Sequence, residues 1–151
     1  MWLGSQDLGY WLDHALGVSC RFESFNSGDD VPSGGRKFVH HFETQGSPIM
    51  IGGGELACVS GRFNALRRGW RTCWRALARR FTLLGVDFND QTGEIRYLIM
   101  DPHYTGADVL TQIQPKWVGW KSADSLTHLG TKLFKADTFY TFCLPQRPCS
   151  V

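Results

Sequence analysis

No stretch of about twenty consecutive apolar residues occurs in these 151 residues, and no basic start runs into an apolar segment. Neither a membrane span nor a secretory leader is therefore expected, and a cytoplasmic setting is. Cysteine is sparse. Cys20, Cys58, Cys73, Cys143 and Cys149 are odd in number, with no Cys-x-x-Cys and no Cys/His cluster at zinc spacing. Neither a disulfide framework nor a metal site is expected, only free and mostly buried thiols. Gly52-Gly53-Gly54 lacks both the Lys-Ser/Thr ending of a phosphate loop and the Gly-x-Gly-x-x-Gly spacing of a dinucleotide fold, so no cofactor is expected either. No nucleic-acid partner is expected, and the net charge of +2 hides an uneven distribution. Acidic residues are absent from 58–81, which hold seven of the 16 Lys and Arg residues; the remainder carries nine basic residues against fourteen acidic ones.

What is present is the composition of a globular protein, 42% hydrophobic and 20% charged, with length for one domain or a piece of one. Residues 6–16 place Leu8, Trp11 or Leu12, Ala15 and Leu16 at helical spacing, with Ser5 before them and Gly17 as a stop. Residues 18–25 alternate as a strand, 26–35 read as a polar loop, and 37–44 predict a short helix with Phe38, Val39 and Phe42 on one side, ended by Gly46. A short buried strand, 48–51, runs into the three glycines, which read as a turn or, alternatively, as room for a substrate's extended tail. Residues 83–89 and 95–100 predict a β-hairpin around the polar loop 90–94. A helix over 107–113, a polar loop to 135 and a last strand over 138–144 complete an α+β pattern of mainly antiparallel strands.

The chemistry-bearing stretch is Ile99-Met100-Asp101-Pro102-His103-Tyr104-Thr105-Gly106. Strand side chains alternate faces, so Asp101 and His103 are expected to project from one side of a strand end, where an acid can orient an imidazole. That is half of a hydrolase site, and a Cys or Ser nucleophile would complete it. The plain alternative is turn chemistry, with Pro102 ending the ladder and Asp101 capping the loop.

At Asp101 to Gly106 the chain resembles the ubiquitin-fold-modifier-specific proteases, cysteine peptidases of papain-like fold. Trp2-Leu3-Gly4-Ser5, Ile51 to Gly54, Leu84-Gly85-Val86-Asp87, Trp117 to Lys121 and Cys143-Leu144-Pro145-Gln146-Arg147-Pro148 are similar at matching places. The resemblance implies that His103 is the catalytic base, and later the acid for the leaving amine, and that Asp101 orients its ring. It implies as substrate the ubiquitin-fold modifier, as a precursor or as a lysine conjugate, with an adaptor at the endoplasmic reticulum surface as a further partner. The family's Gly-Trp-Gly-Cys segment belongs upstream of Trp2 and is not in this sequence. The fold is thus expected to be incomplete at the N-terminus. Cys143 falls in a structural motif, and no other cysteine has the helix-start setting of a nucleophile. The chain as written is expected to be an inactive portion of a thiol protease or, alternatively, a silent protein that still binds the modifier or an adaptor.

Residues 58–81 interrupt the family pattern as an insertion. Phe63, Leu66, Trp70, Trp74, Leu77 and Phe81 fall at steps of three and four among the arginines, the pattern of a basic amphipathic helix that suits an anionic membrane surface, a calmodulin-like partner or nucleic acid. Packing on the body of the domain, or an insert foreign to the mature protein, are the alternatives.

Overall fold

The computed structural model describes residues 5–55, 79–101, 118–127 and 131–147. The basic segment through residue 78, the expected 107–113 helix and His103 lie outside them. The described chain runs α1 (Ser5–Leu16), β1 (Cys20–Phe25), a 3₁₀ helix (Gly28–Gly34), α2 (Gly35–Thr44), β2 (Ile49–Glu55), β3 (Arg79–Phe88), β4 (Ile95–Met100), β5 (Val118–Lys121) and β6 (Thr138–Pro145). Together the strands make one antiparallel sheet in the order β1-β6-β2-β3-β4-β5. The last strand is inserted between the first two. The expected class, α+β with a mainly antiparallel sheet flanked by helices, is what the chain adopts.

The inner face of the sheet carries the core. Phe25, Phe38 and Phe142 form an aromatic centre: Phe38 stacks on Phe142 at 4.8 Å between centroids, and Phe25 meets Phe142 edge-on at 5.3 Å. Such pairs add to the burial term of large rings. Phe134 extends the cluster by edge contacts to Tyr97 and Tyr140, each at 5.2 Å. The two buried tyrosines differ in their polar ends. The Tyr140 hydroxyl accepts from the Lys135 N–H at 2.9 Å and donates to the Leu133 carbonyl at 3.4 Å. The Tyr97 hydroxyl is buried with no hydrogen-bond partner among the described residues, and burial pushes its ionisation up. An orphaned buried hydroxyl costs free energy that a phenyl ring would not. Tyr97→Phe is therefore expected to raise stability by about 1 kcal/mol, read as a higher urea midpoint; a lower midpoint would show that the hydroxyl is satisfied.

Four expectations are corrected. Residues 28–34 form a 3₁₀ helix rather than an open loop: Ser27 Oγ accepts from the Asp29 N–H at 3.1 Å, and Val31 is wholly buried. Short i to i+3 turns carry little periodic signal, which is why composition alone reads as loop. The glycines of β2 do not turn. Gly52, Gly53 and Gly54 pair with Thr141, Tyr140 and Phe139 of β6, and the ladder on both sides of a central strand overrides their poor strand propensity. Gly53 is needed there, because a Cβ would sit 2.8 Å from the Tyr140 ring. β3 starts at Arg79, so Phe81 does not end a helical stripe but faces the core from a strand, opposite Ile51. Finally, α1 seats itself through Leu8, Gly9 and Leu12, with Gly9 directly under the Phe22 ring. Trp11, Ala15 and Leu16 are exposed. The end of α1 is as expected: Gly17 takes φ 65°, and its N–H bonds to the Asp13 carbonyl at 2.9 Å.

No helix among the described residues is long and apolar enough to cross a membrane.

Candidate active site

β4 alternates strictly. Ile95, Tyr97 and Ile99 are buried on the core face, while Arg96 and Met100 are exposed on the other. Asp101 follows in the inward phase and is 5% exposed. The strand is held on both sides, with Met100 opposite Thr82 of β3 and Val118 of β5. Asp101 is the first residue beyond that doubly paired strand, which limits the freedom of its carboxylate. Such a fixed acid is what orienting an imidazole requires, since freedom of the acid becomes freedom of the ring. His103, two residues further on, lies outside the described residues, so the pairing expected from alternation is carried by sequence phase alone.

The described thiols are not placed as nucleophiles for this acid. Cys143 shares a transverse row with Met50, Thr82 and Met100, three strands away from β4. At about 4.8 Å per strand, that puts roughly 14 Å between the two backbones. Its side chain also occupies the outer face, whereas Asp101 is in the inner phase. Burial, followed by contact with Cys20, pushes the Cys143 thiol up to about 12. That is the reverse of an activated cysteine. Cys20 is one strand further off, at the start of β1 opposite Pro145.

A second histidine makes a serine contact that invites a catalytic reading, and the geometry rejects it. His41 is buried on α2, with Nε2 3.0 Å from both the carbonyl and the Oγ of Ser47. Ser47 Oγ donates its own proton to the Pro145 carbonyl at 2.8 Å. The consistent assignment is then Nε2–H donating to Ser47, which leaves that nitrogen no lone pair to act as a base. The contact ties the end of α2 to the end of β6. Gln45 Oε1 adds to the tie by accepting from the Arg147 N–H at 2.7 Å. The sequence does carry a signal for His41, which lies three residues after Phe38 on the buried side of α2.

Burial is the largest influence on His41 and lowers its pKa from 6.5, assisted by the charges of Arg21 and His40 and opposed by the hydrogen bond to Ser47. The folded chain thus binds the proton less well than the unfolded chain does. Stability is expected to be highest above about pH 6.5 and to fall as pH drops through the unfolded value toward the lowered folded one. Urea midpoints at pH 7.5 and 5.5 measure this, and His41→Gln is expected to flatten the difference; an equal slope in the variant would assign it to other groups.

Known proteins resemble this chain over nearly its whole length. The model of Peptidase family C78 matches residues 1–143. A probable Ufm1-specific protease of Oryza sativa subsp. japonica is 43% identical over 148 residues, 97% of this chain and 19% of the relative. Ufm1-specific protease 2 of Mus musculus is 36% identical over the same share of this chain and 25% of its own length. The crystal structure of UfSP from C. elegans superposes with a TM-score of 0.73 at 34% identity, covering 100% of this chain and 23% of that one. The chain thus spans about a fifth to a quarter of the curated relatives it matches, and its papain-like α+β fold is shared with a solved member. On the match across 1–143 and these likenesses, the chain belongs to Peptidase family C78.

Proposed function

We propose that this chain is the part of a thiol protease that supplies the base and its orienting acid for cleavage after the C-terminal glycine of a Ufm1-type modifier. His103 holds the nucleophile as a thiolate, then gives its proton to the leaving amine, and Asp101 fixes the ring. The nucleophile belongs to a Gly-Trp-Gly-Cys segment that these 151 residues do not contain. The observation that carries the reading is Asp101, buried at the end of a strand paired on both sides, in a chain of Peptidase family C78. The names of the relatives, Ufm1-specific proteases, support the choice of substrate. Both the precursor and the lysine conjugate present the same glycine carbonyl to such a site. The family resemblance further supports a cytoplasmic setting and an adaptor at the endoplasmic reticulum surface, with the basic insertion 58–81 as a candidate contact for that surface.

A second reading, a silent protein that binds the modifier, is favoured by one observation: Cys20 and Cys143 lie far across the sheet from Asp101. The test is a chimera in which residues 1–151 replace the equivalent portion of the rice relative. Release of the residues beyond the glycine of a modifier precursor is expected. A folded chimera that binds the modifier without cleaving it would favour the silent protein.

A further inference from the structure

Two thiols share one patch beneath α1. Cys20 opens β1 and Cys143 lies in β6; the register sets Phe22 opposite Cys143 and Cys20 opposite Pro145, so the cysteines are diagonal neighbours across one strand pair. Residues directly opposite in an antiparallel pair share a face, as do residues two apart along a strand, so both thiols point to the side that α1 covers. Burial first, and then the neighbouring Cys20 thiol, raise the Cys143 pKa. Cys143 is wholly buried and Cys20 only half-buried, and the Cys20 thiol also reaches the Val18 carbonyl at 3.8 Å.

We propose that Cys20 and Cys143 are an oxidation-sensitive pair, joined by a peroxide as a cross-strand disulfide and reopened by a small thiol. Cys20 is the sulfur an oxidant reaches. Its thiolate attacks the peroxide, the O–O bond breaks, and Cys20 becomes a sulfenic acid while one water leaves. Cys143 then attacks the Cys20 sulfur; the S–O bond breaks, and the departing hydroxide takes the Cys143 proton as the second water. Two thiols lose two electrons and two protons, and the peroxide is reduced to two waters. Burial keeps Cys143 protonated until that step, which suits a resolving thiol and not a first target.

Geometry sets one demand. Diagonal partners start with Cα atoms roughly 7–8 Å apart, and a disulfide needs about 7 Å or less. Cys20 therefore moves inward by a small amount on oxidation. It opens a strand that has a single neighbour in the described sheet, and the Ser19 carbonyl before it accepts from the Gln146 N–H at 2.8 Å, the bond this movement has to stretch. The bond would pin this edge strand to β6, and with it the Pro145 carbonyl that holds Ser47.

The experiment is hydrogen peroxide treatment of the full chain carrying Cys149→Ser, alkylation of remaining thiols, and non-reducing tryptic mass mapping. Cys149 is removed because the Arg147-Pro148 bond resists trypsin, leaving it on the same peptide as Cys143. The expected product is residues 1–21 linked to residues 136–151, lighter by two hydrogens than the sum of the free peptides. Dithiothreitol is expected to reverse it, and Cys20→Ser, a change at a half-exposed position, to abolish it. Over-oxidation of Cys20 with Cys143 still open to alkylation after denaturation would overturn the proposal. So would linkage of either thiol to Cys58 or Cys73 in its place.

Discussion

His103→Ala, made in a chimera that carries both residues 1–151 and the family's cysteine segment, is expected to lower kcat/KM for modifier cleavage by about 10³-fold or more. On the proposed function the alanine removes the group that keeps the thiolate charged and that protonates the leaving amine, so both halves of the reaction lose their proton carrier. Asp101→Asn is expected to cost on the order of 10²-fold, because the ring remains but its tautomer and direction are no longer held. The two losses should not add, since the acid acts only through the base. The pH profile separates them from a folding defect: Asp101→Asn should move the limb of kcat/KM that reports the imidazole, whereas a partly unfolded enzyme would lower the whole profile evenly. Equal activity of His103→Ala and the parent chimera would remove His103 from the mechanism.

Phe142→Ala is expected to be the most damaging of the core changes, costing about 3–5 kcal/mol, which is a large share of the stability of a small domain. Phe142 is wholly buried at the middle of β6 and touches Phe25, Phe38 and Phe134, so its removal opens a cavity that three rings cannot fill together. Phe142→Leu keeps most of the volume and is expected to cost less than half as much. Trp11→Ala is the control: a larger ring is lost from an exposed helix position, and a change within about 0.5 kcal/mol is expected. Urea denaturation of the three variants checks the order. A Trp11→Ala loss rivalling that of Phe142→Ala would mean that the outer side of α1 is a packed surface.

How much of this was legible beforehand depends on whether a residue's role is local. β4 could be read directly as an apolar strand running into Asp101, and its buried positions Ile95, Tyr97 and Ile99 alternate with the less buried Arg96, Leu98 and Met100. The Asp-Pro-His-Tyr-Thr-Gly run and the Cys-Leu-Pro-Gln-Arg-Pro tail carried the family resemblance, which the match over residues 1–143 bears out. The glycine strand was not legible. Its conformation is imposed by β3 and β6 on either side, and the need for Gly53 arises from Tyr140, 87 positions away in the chain and visible only once the register is known. The start of β3 failed for the same reason, since Phe81 fits a helical stripe as well as it fits a strand, and only pairing with Ile51 decides. In α1 the apolar spacing was real, but a helix seated through a glycine buries a different set of residues from one seated through its largest side chains.

The proposed function rests on a division of labour: base and acid in this chain, nucleophile elsewhere. Activity-based labelling tests it most directly, with a ubiquitin-fold modifier bearing a C-terminal electrophile presented to the 151-residue chain and to the chimera with the cysteine segment. No adduct is expected on the chain alone. An adduct is expected on the chimera, at the cysteine of Gly-Trp-Gly-Cys, and it should be lost with His103→Ala. An adduct on any of the five cysteines of the chain alone, or undiminished labelling of the His103→Ala chimera, would contradict the account.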